Sequence, residues 1–251
     1  MMSDRPRLLE ATVPQPFGAS AVTAHDDLPA AVLWDMDGTI VDTEPCWAEA
    51  EDAMMGEFGV PWSAAEGLAL IGMPLPEAAE LFRSRGVPLA ADQIIERLLG
   101  HVVLRVRSGA VTWRPGALEL LEALRLAGVP NALVTMSYTP LSDAIIELLP
   151  EGTFATVVTG DVVEQGKPHP EPYLTAAAAL GVAPGEAVAI EDSLPGVTSA
   201  QSAGVPVIAV QHLIPLPEAP GRLVTDTLIG ITPFDLARLV REIKRRDESG
   251  R

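Results

Sequence analysis

The sequence is poor in positive charge. Lysine occurs twice, at Lys167 and Lys244, and lysine and arginine together supply 17 cations against 34 carboxylates, for a formal net charge of −17. With no basic stripe to neutralise phosphates, a nucleic-acid binder is excluded, and an anionic membrane surface is an equally poor partner. A single cysteine, Cys46, leaves no disulfide framework to form within the chain and fits a reducing compartment. No run approaches the ~20 apolar residues of a membrane span, and the N-terminus has no uninterrupted apolar segment of the secretory kind. These absences lead to the expectation of a soluble, cytoplasmic protein, monomeric or weakly homodimeric, with no nucleic-acid or membrane partner.

The composition, 48% hydrophobic and 20% charged over 251 residues, is that of one large globular domain or a domain carrying an insertion. Residues 1–28 show no periodicity and read as a disordered leader. The Ala-Ala-Val-Leu-Trp run before Asp35 reads as a short buried strand. Residues 43–58 read as a helix with Thr43 as N-cap and Pro45 in the first turn. From Gly59 to about Trp113 there is no strand pattern. "WSAAEGLALI", "PEAAELFRSRG" and "AADQIIERLLGHVVLRVRSG" have helical spacing and are separated by Gly/Pro breakers. Beyond Trp113 the rhythm changes, and apolar strand runs alternate with helices until "TPFDLARLVREIKRR" closes the chain as an amphipathic helix. Such alternation predicts an α/β fold, a Rossmann-like parallel sheet covered on both faces. The core is expected at 29–43 and 113–251, with an α-helical cap domain inserted at 44–112.

In such sheets ligands bind at the C-terminal ends of the strands. The first strand ends in Asp35-Met36-Asp37-Gly38-Thr39, and "ALVT" ends in Thr135, Met136 and Ser137. "TVVTGDVVEQGKPHPEPY" supplies Asp161 and then Lys167, and "AVAIEDSLPG" ends in Glu191-Asp192-Ser193. Two carboxylates as close as Asp35 and Asp37 repel each other and call for compensation, by a cation or by exposure. A solvated turn would explain that pair alone, and an N-cap cluster would explain Glu191-Asp192-Ser193 alone. It is the four strand ends together that are specific.

In "DMDGT", the threonine of "ALVTMS", the lysine of "GKPHPEPY" and the acidic pair of "IEDSLPG", the chain resembles the haloacid dehalogenase-like hydrolases. The likeness is closest to their phosphatases and β-phosphoglucomutase-like members with a small helical cap, and it spans roughly residues 30–245. The resemblance implies a magnesium-dependent phosphatase acting on small phosphorylated metabolites, sugar phosphates foremost. Asp35 would be the nucleophile that forms an aspartyl-phosphate, and Asp37 the acid that protonates the leaving oxygen and then activates water. Mg2+ would be held by Asp35, the carbonyl of Asp37, and Asp192, with Glu191 as a ligand or in support. Thr135, Lys167, Ser137 and the amide of Met136 would hold the phosphoryl oxygens, and Gly38 would let the backbone approach them. The compensation that Asp35 and Asp37 need would then be the metal and Lys167.

Other chemistries of the family fit less well. Its dehalogenases lack the second aspartate, and its phosphonate-cleaving members use a cap lysine, whereas no lysine precedes Lys167 here. Its mutases carry a histidine where "DTEPCW" places Trp47, which favours hydrolysis over phosphomutase activity. A phosphorelay receiver, a non-enzymatic switch with a similar acidic site, is about half this length and has no inserted cap. Trp47 and Met73 are expected to pack apolar surface, and His101 and His169 to lie at the surface. For a second anionic group on a substrate, the cap offers only Arg83, Arg85, Arg97, Arg105 and Arg107.

Overall fold

The computed structural model of the chain describes residues 27–249. Almost all of the expected leader therefore lies outside the described residues. Six strands form one parallel sheet in the order β5-β4-β1-β6-β7-β8. They are β1 (Ala31–Trp34), β4 (Asn131–Val134), β5 (Thr156–Val158), β6 (Ala187–Glu191), β7 (Val207–Val210) and β8 (Arg222–Thr225). A short antiparallel ribbon, β2 (Val41–Asp42) with β3 (Thr112–Trp113), stands beside them. Strand order reverses between β1 and β6, where such sheets open a crevice for ligands. Asp35 N continues the ladder past the end of β1 by donating to Ile190 O at 3.0 Å.

The period of two along each strand sorts the core onto two faces. Val32, Trp34, Leu133, Val188 and Ile190 face one way. They meet Leu120, Leu121 and Leu124 of α5 (Ala117–Leu126), Leu141 and Ile145 of α6 (Thr139–Ile146), and Leu236 of α9 (Pro233–Ser249). Ala31, Leu33, Ala132, Ala187, Ala189 and Ala209 face the other way. Their small side chains bring in Tyr173 and Ala176 of α7 (Glu171–Leu180) and Val197 and Ala200 of α8 (Leu194–Ser202). Trp34, buried completely, satisfies its indole N–H on Asn131 Oδ1 at 3.0 Å. Deleting an aromatic of that size from a core costs ~3–5 kcal/mol.

Between β2 and β3 lie four helices: α1 (Glu44–Glu57), α2 (Ala64–Leu68), α3 (Leu75–Arg85) and α4 (Ala91–Arg107). Cys46, Ala50, Met54 and Met55 of α1 share an apolar cluster with Ile94, Leu98, Val102 and Val106 of α4. Trp47 and Met73 pack against the same cluster, partly buried. The chain leaves and re-enters the sheet domain through the β2–β3 ribbon, where Val41 pairs with Trp113 and Asp42 with Thr112.

Three details differ from expectation. A strand, β3, ends the segment read as wholly helical, because two residues are too few to show alternation. The stretch read as one helix at "WSAAEGLALI" is helical only over α2. β8 was not expected at all, since it follows a proline-rich run and forms the sheet's edge. Among the described residues no helix is long and apolar enough to cross a membrane.

Candidate active site

The four strand ends converge. Lys167 Nζ donates to Asp35 Oδ1 at 2.7 Å, to Glu191 Oε1 at 2.6 Å and to Val134 O at 2.8 Å. All three ammonium protons are thus spent, and the side chains of Lys167, Asp35 and Glu191 are 4, 10 and 0% exposed. Burial pulls the ammonium down, yet Asp35 and Glu191 outweigh it and leave Lys167 above its ordinary value. Asp35 is pushed up to about 7 by burial and by Glu191, against the pull of Lys167. Burial, Asp35 and Glu191 also push Asp192 well above the usual carboxylate range. One cation does not balance this much negative charge.

Oxygens of Asp35, Glu191 and Asp192 all lie within 4.8 Å of one another, a set of hard donors that fits a divalent cation such as Mg2+. The side chain of Asp37 is not part of that set, so any share it has in a metal site would come through its carbonyl. Glu191 is the most heavily engaged of the three. Besides Lys167, its Oε1 accepts from Tyr173 Oη at 2.7 Å, and its Oε2 accepts from Asp192 N at 3.2 Å and Ser193 Oγ at 3.2 Å. Gly196 in the first turn of α8 makes room for this carboxylate, since a Cβ there would lie 1.9 Å from Oε1.

Asp37 is held by hydroxyls. Thr43 Oγ1 donates to its Oδ1 at 2.5 Å, while Ser137 Oγ and Thr135 Oγ1 donate to its Oδ2 at 2.8 and 3.2 Å. Thr43 does stand at the N-cap of α1, but it makes no side-chain cap bond and its hydroxyl orients Asp37 instead. Thr135 also accepts from Ser137 N at 3.0 Å. The Met136 side chain turns away to support the lysine loop, its sulfur accepting from Lys167 N at 3.2 Å. Gly38 adopts φ +82°, and a Cβ there would lie 2.1 Å from Asp192 Oδ2. The glycine thus serves close approach of the first loop to the acidic pair.

Other expected residues stand apart. Asp161 Oδ1 accepts from Thr139 N and Oγ1 at the start of α6. His169 Nδ1 accepts from Glu171 N, and His101 lies 3.9 Å from Glu49. Every cap arginine has a carboxylate partner: Glu80 for Arg83, Glu66 for Arg85, Glu57 for Arg97, Glu49 for Arg105 and Glu147 for Arg107. Sequence reasoning missed Tyr173, although it closes the quoted "GKPHPEPY" stretch and is one of only two tyrosines. It also missed the link from Thr39 Oγ1 to Asp192 Oδ1 at 3.3 Å, and the approach of His212 to Gly38.

The family model described as "Haloacid dehalogenase-like hydrolase" matches residues 32–210. A "Probable pseudouridine-5'-phosphatase" of Saccharomyces cerevisiae is 34% identical over 199 residues, covering 72% of this chain and 82% of the relative. The phosphorylated carbohydrates phosphatase of Thermotoga maritima is 30% identical over 217 residues, 85% of this chain and 99% of that protein. Among solved structures, CbbY from Rhodobacter sphaeroides in complex with phosphate superposes with a TM-score of 0.74 at 28% identity, over 81% of this chain and 96% of that one. The chain belongs to the haloacid dehalogenase-like hydrolases.

Proposed function

We propose that this hydrolase is a magnesium-dependent phosphatase of small phosphorylated metabolites, sugar phosphates foremost, working through an aspartyl-phosphate on Asp35. The observation that carries the reading is the pairing of two differently held aspartates. Asp35 lies in a buried, over-acidic cluster with one lysine, and Asp37 is oriented by three hydroxyls a residue away. Asp35 attacks phosphorus, forming a carboxyl O–P bond as the ester P–O bond breaks. Asp37 gives its proton to the departing alkoxide. Asp37 then takes a proton from water as that water attacks the same phosphorus, so phosphate leaves and Asp35 is restored as a carboxylate.

Mg2+, held by Asp35 and Asp192 with the Asp37 carbonyl, would supply charge neutralisation for the phosphoryl group. Glu191, with both oxygens engaged by donors, acts better as the anchor that fixes Lys167 and the Asp192 loop than as a ligand. Lys167 steadies the nucleophile and offers positive charge to the phosphoryl oxygens, and the amides of Met136 and Ser137 add donors there. Residues 44–112 act as the cap over this site. Trp47 on α1 has no basic nitrogen for the proton-transfer task of a mutase histidine.

The test uses β-glucose 1-phosphate followed by phosphorus NMR, with a bisphosphate primer present and with or without EDTA. Free phosphate is expected, with little glucose 6-phosphate, and EDTA should stop the reaction. Accumulation of glucose 6-phosphate without free phosphate would establish a mutase. Full activity in EDTA without added metal would overturn the metal site.

A further inference from the structure

His212 lies in the loop that follows β7, outside every motif read from the sequence. Its side chain is 8% exposed, and its Nε2 is buried without a hydrogen-bond partner. That nitrogen points at Asp42 of β2 but stops 3.7 Å from Oδ1, beyond hydrogen-bond reach. The neighbouring ring carbon lies against the turn after β1, since a Cβ on Gly38 would sit 2.9 Å from His212 Cδ2. One imidazole therefore lies against both the β2–β3 ribbon and the turn that carries Asp37.

The loop under the ring is held by hydrogen bonds. Gln211 is stapled to Leu216 in both directions, Nε2 to O at 3.0 Å and N to Oε1 at 2.9 Å, and its own N donates to Thr225 O at 2.8 Å. The chain just past β3 is tied to the same loop, because Arg114 Nη2 donates to Gln211 O at 3.0 Å while Arg114 N donates to Ile40 O at 2.8 Å. Asp42 also accepts from Glu44 N at 3.3 Å, which links it to the start of α1. Only four residues of chain separate Asp37 from Asp42, and Gly38 N donating to Val41 O at 2.8 Å shortens the path further.

Building on the hydrolase reading above, we propose that His212 is a positioning residue: its Nε2 bonds Asp42 when the β2–β3 ribbon moves with the cap, and so seats the turn of Asp37 and Gly38 against Asp192. A shift of about 0.7 Å suffices to reach an ordinary bond length of ~3.0 Å. A buried donor one small step from an acceptor favours the state in which the bond is made, and closure of a cap completes a catalytic constellation in this way.

Four proteins test it: wild type, His212→Phe, His212→Gln and the double variant His212→Phe/Asp42→Ala. Phe keeps the ring against Gly38 and removes the donor, whereas Gln keeps a donor. In His212→Phe, kcat for sugar phosphate is expected to fall about tenfold with KM within about twofold, while Gln loses less than about threefold. The double variant should lose no more than His212→Phe, as for residues acting as one unit. Amide exchange at residues 40–43 and 112–114 should speed up in His212→Phe, with β1 and β6 unchanged. Unaltered exchange in the ribbon, or an undiminished kcat in an active protein, would overturn the proposal. A wild type that hydrolyses no phosphate ester would instead refute the hydrolase reading, and ribbon exchange would then decide the role of His212 on its own.

Discussion

Replacing Lys167 with Met removes a charge and keeps a long apolar stem, so the change falls on the electrostatics of the site. Nζ lies 2.7 Å from Asp35 and 2.6 Å from Glu191, in a place where none of the three side chains is more than 10% exposed. Two carboxylates that lose their shared cation there cannot turn to water. Removing one partner of a buried ion pair costs ~3–5 kcal/mol, a large part of the 5–15 or so kcal/mol that holds a typical domain together. At ~2–4 °C per kcal/mol for a chain of this size, the melting temperature of the metal-free protein at pH 8 is expected to drop by roughly 6–20 °C. The loss should shrink as pH falls. Asp35, already pushed up to about 7, takes a proton more readily still without Lys167, and the uncompensated charge then vanishes. Calorimetry in EDTA at pH 8 and pH 5, with phosphate release measured alongside, reads both effects. A Lys167→Met protein that melts like wild type at pH 8, or turns over at its rate, would refute the reasoning.

In the metal-free wild type, the folded state holds the Asp35 proton up to about 7, against 3.8 for an unperturbed aspartate. It therefore binds more protons than the unfolded chain between those values, and stability should fall as pH rises from about 4 to about 7. Glu44 and Glu51, each raised to about 7 mainly by burial, add to the same trend. Melting curves across that window in EDTA check the sign, and saturating Mg2+ should flatten the slope. Asp37→Asn is expected to leave the fold and phosphate binding intact and to lower kcat by ~10²–10⁴-fold, as loss of a general acid does. Steady-state kinetics with a poor leaving group measures it, and an unchanged kcat would move the acid role elsewhere.

Much of this was legible in the sequence because chemistry and topology coincide. The apolar run before Asp35, and those before Thr135 and Glu191, are central strands buried on both faces, and their uninterrupted hydrophobicity marks them. Their ends then had to meet at the reversal of strand order. What escaped depends on contacts rather than on local pattern. β2 and β3 are two residues each, and β8 sits at an edge where burial is partial. Thr43 carried a real N-cap signal, yet its backbone is already helical where a capping residue is extended, and its hydroxyl is turned to donate to Asp37. Tyr173 lies in an alanine-rich helix with no local signal of a polar role, and only the fold brings Glu191 to the end of its side chain.

The chemical step itself can be read on one residue. A rapid acid quench during steady turnover of a sugar phosphate, followed by peptide mapping, locates any phosphoryl group covalently held by the enzyme. The expected result is a phosphoryl group on the carboxylate of Asp35, absent from Asp35→Asn and from protein treated with EDTA. Steady hydrolysis with no phosphoryl group on Asp35, or undiminished turnover by Asp35→Asn, would mean that water attacks the ester directly and that Asp35 is not the nucleophile.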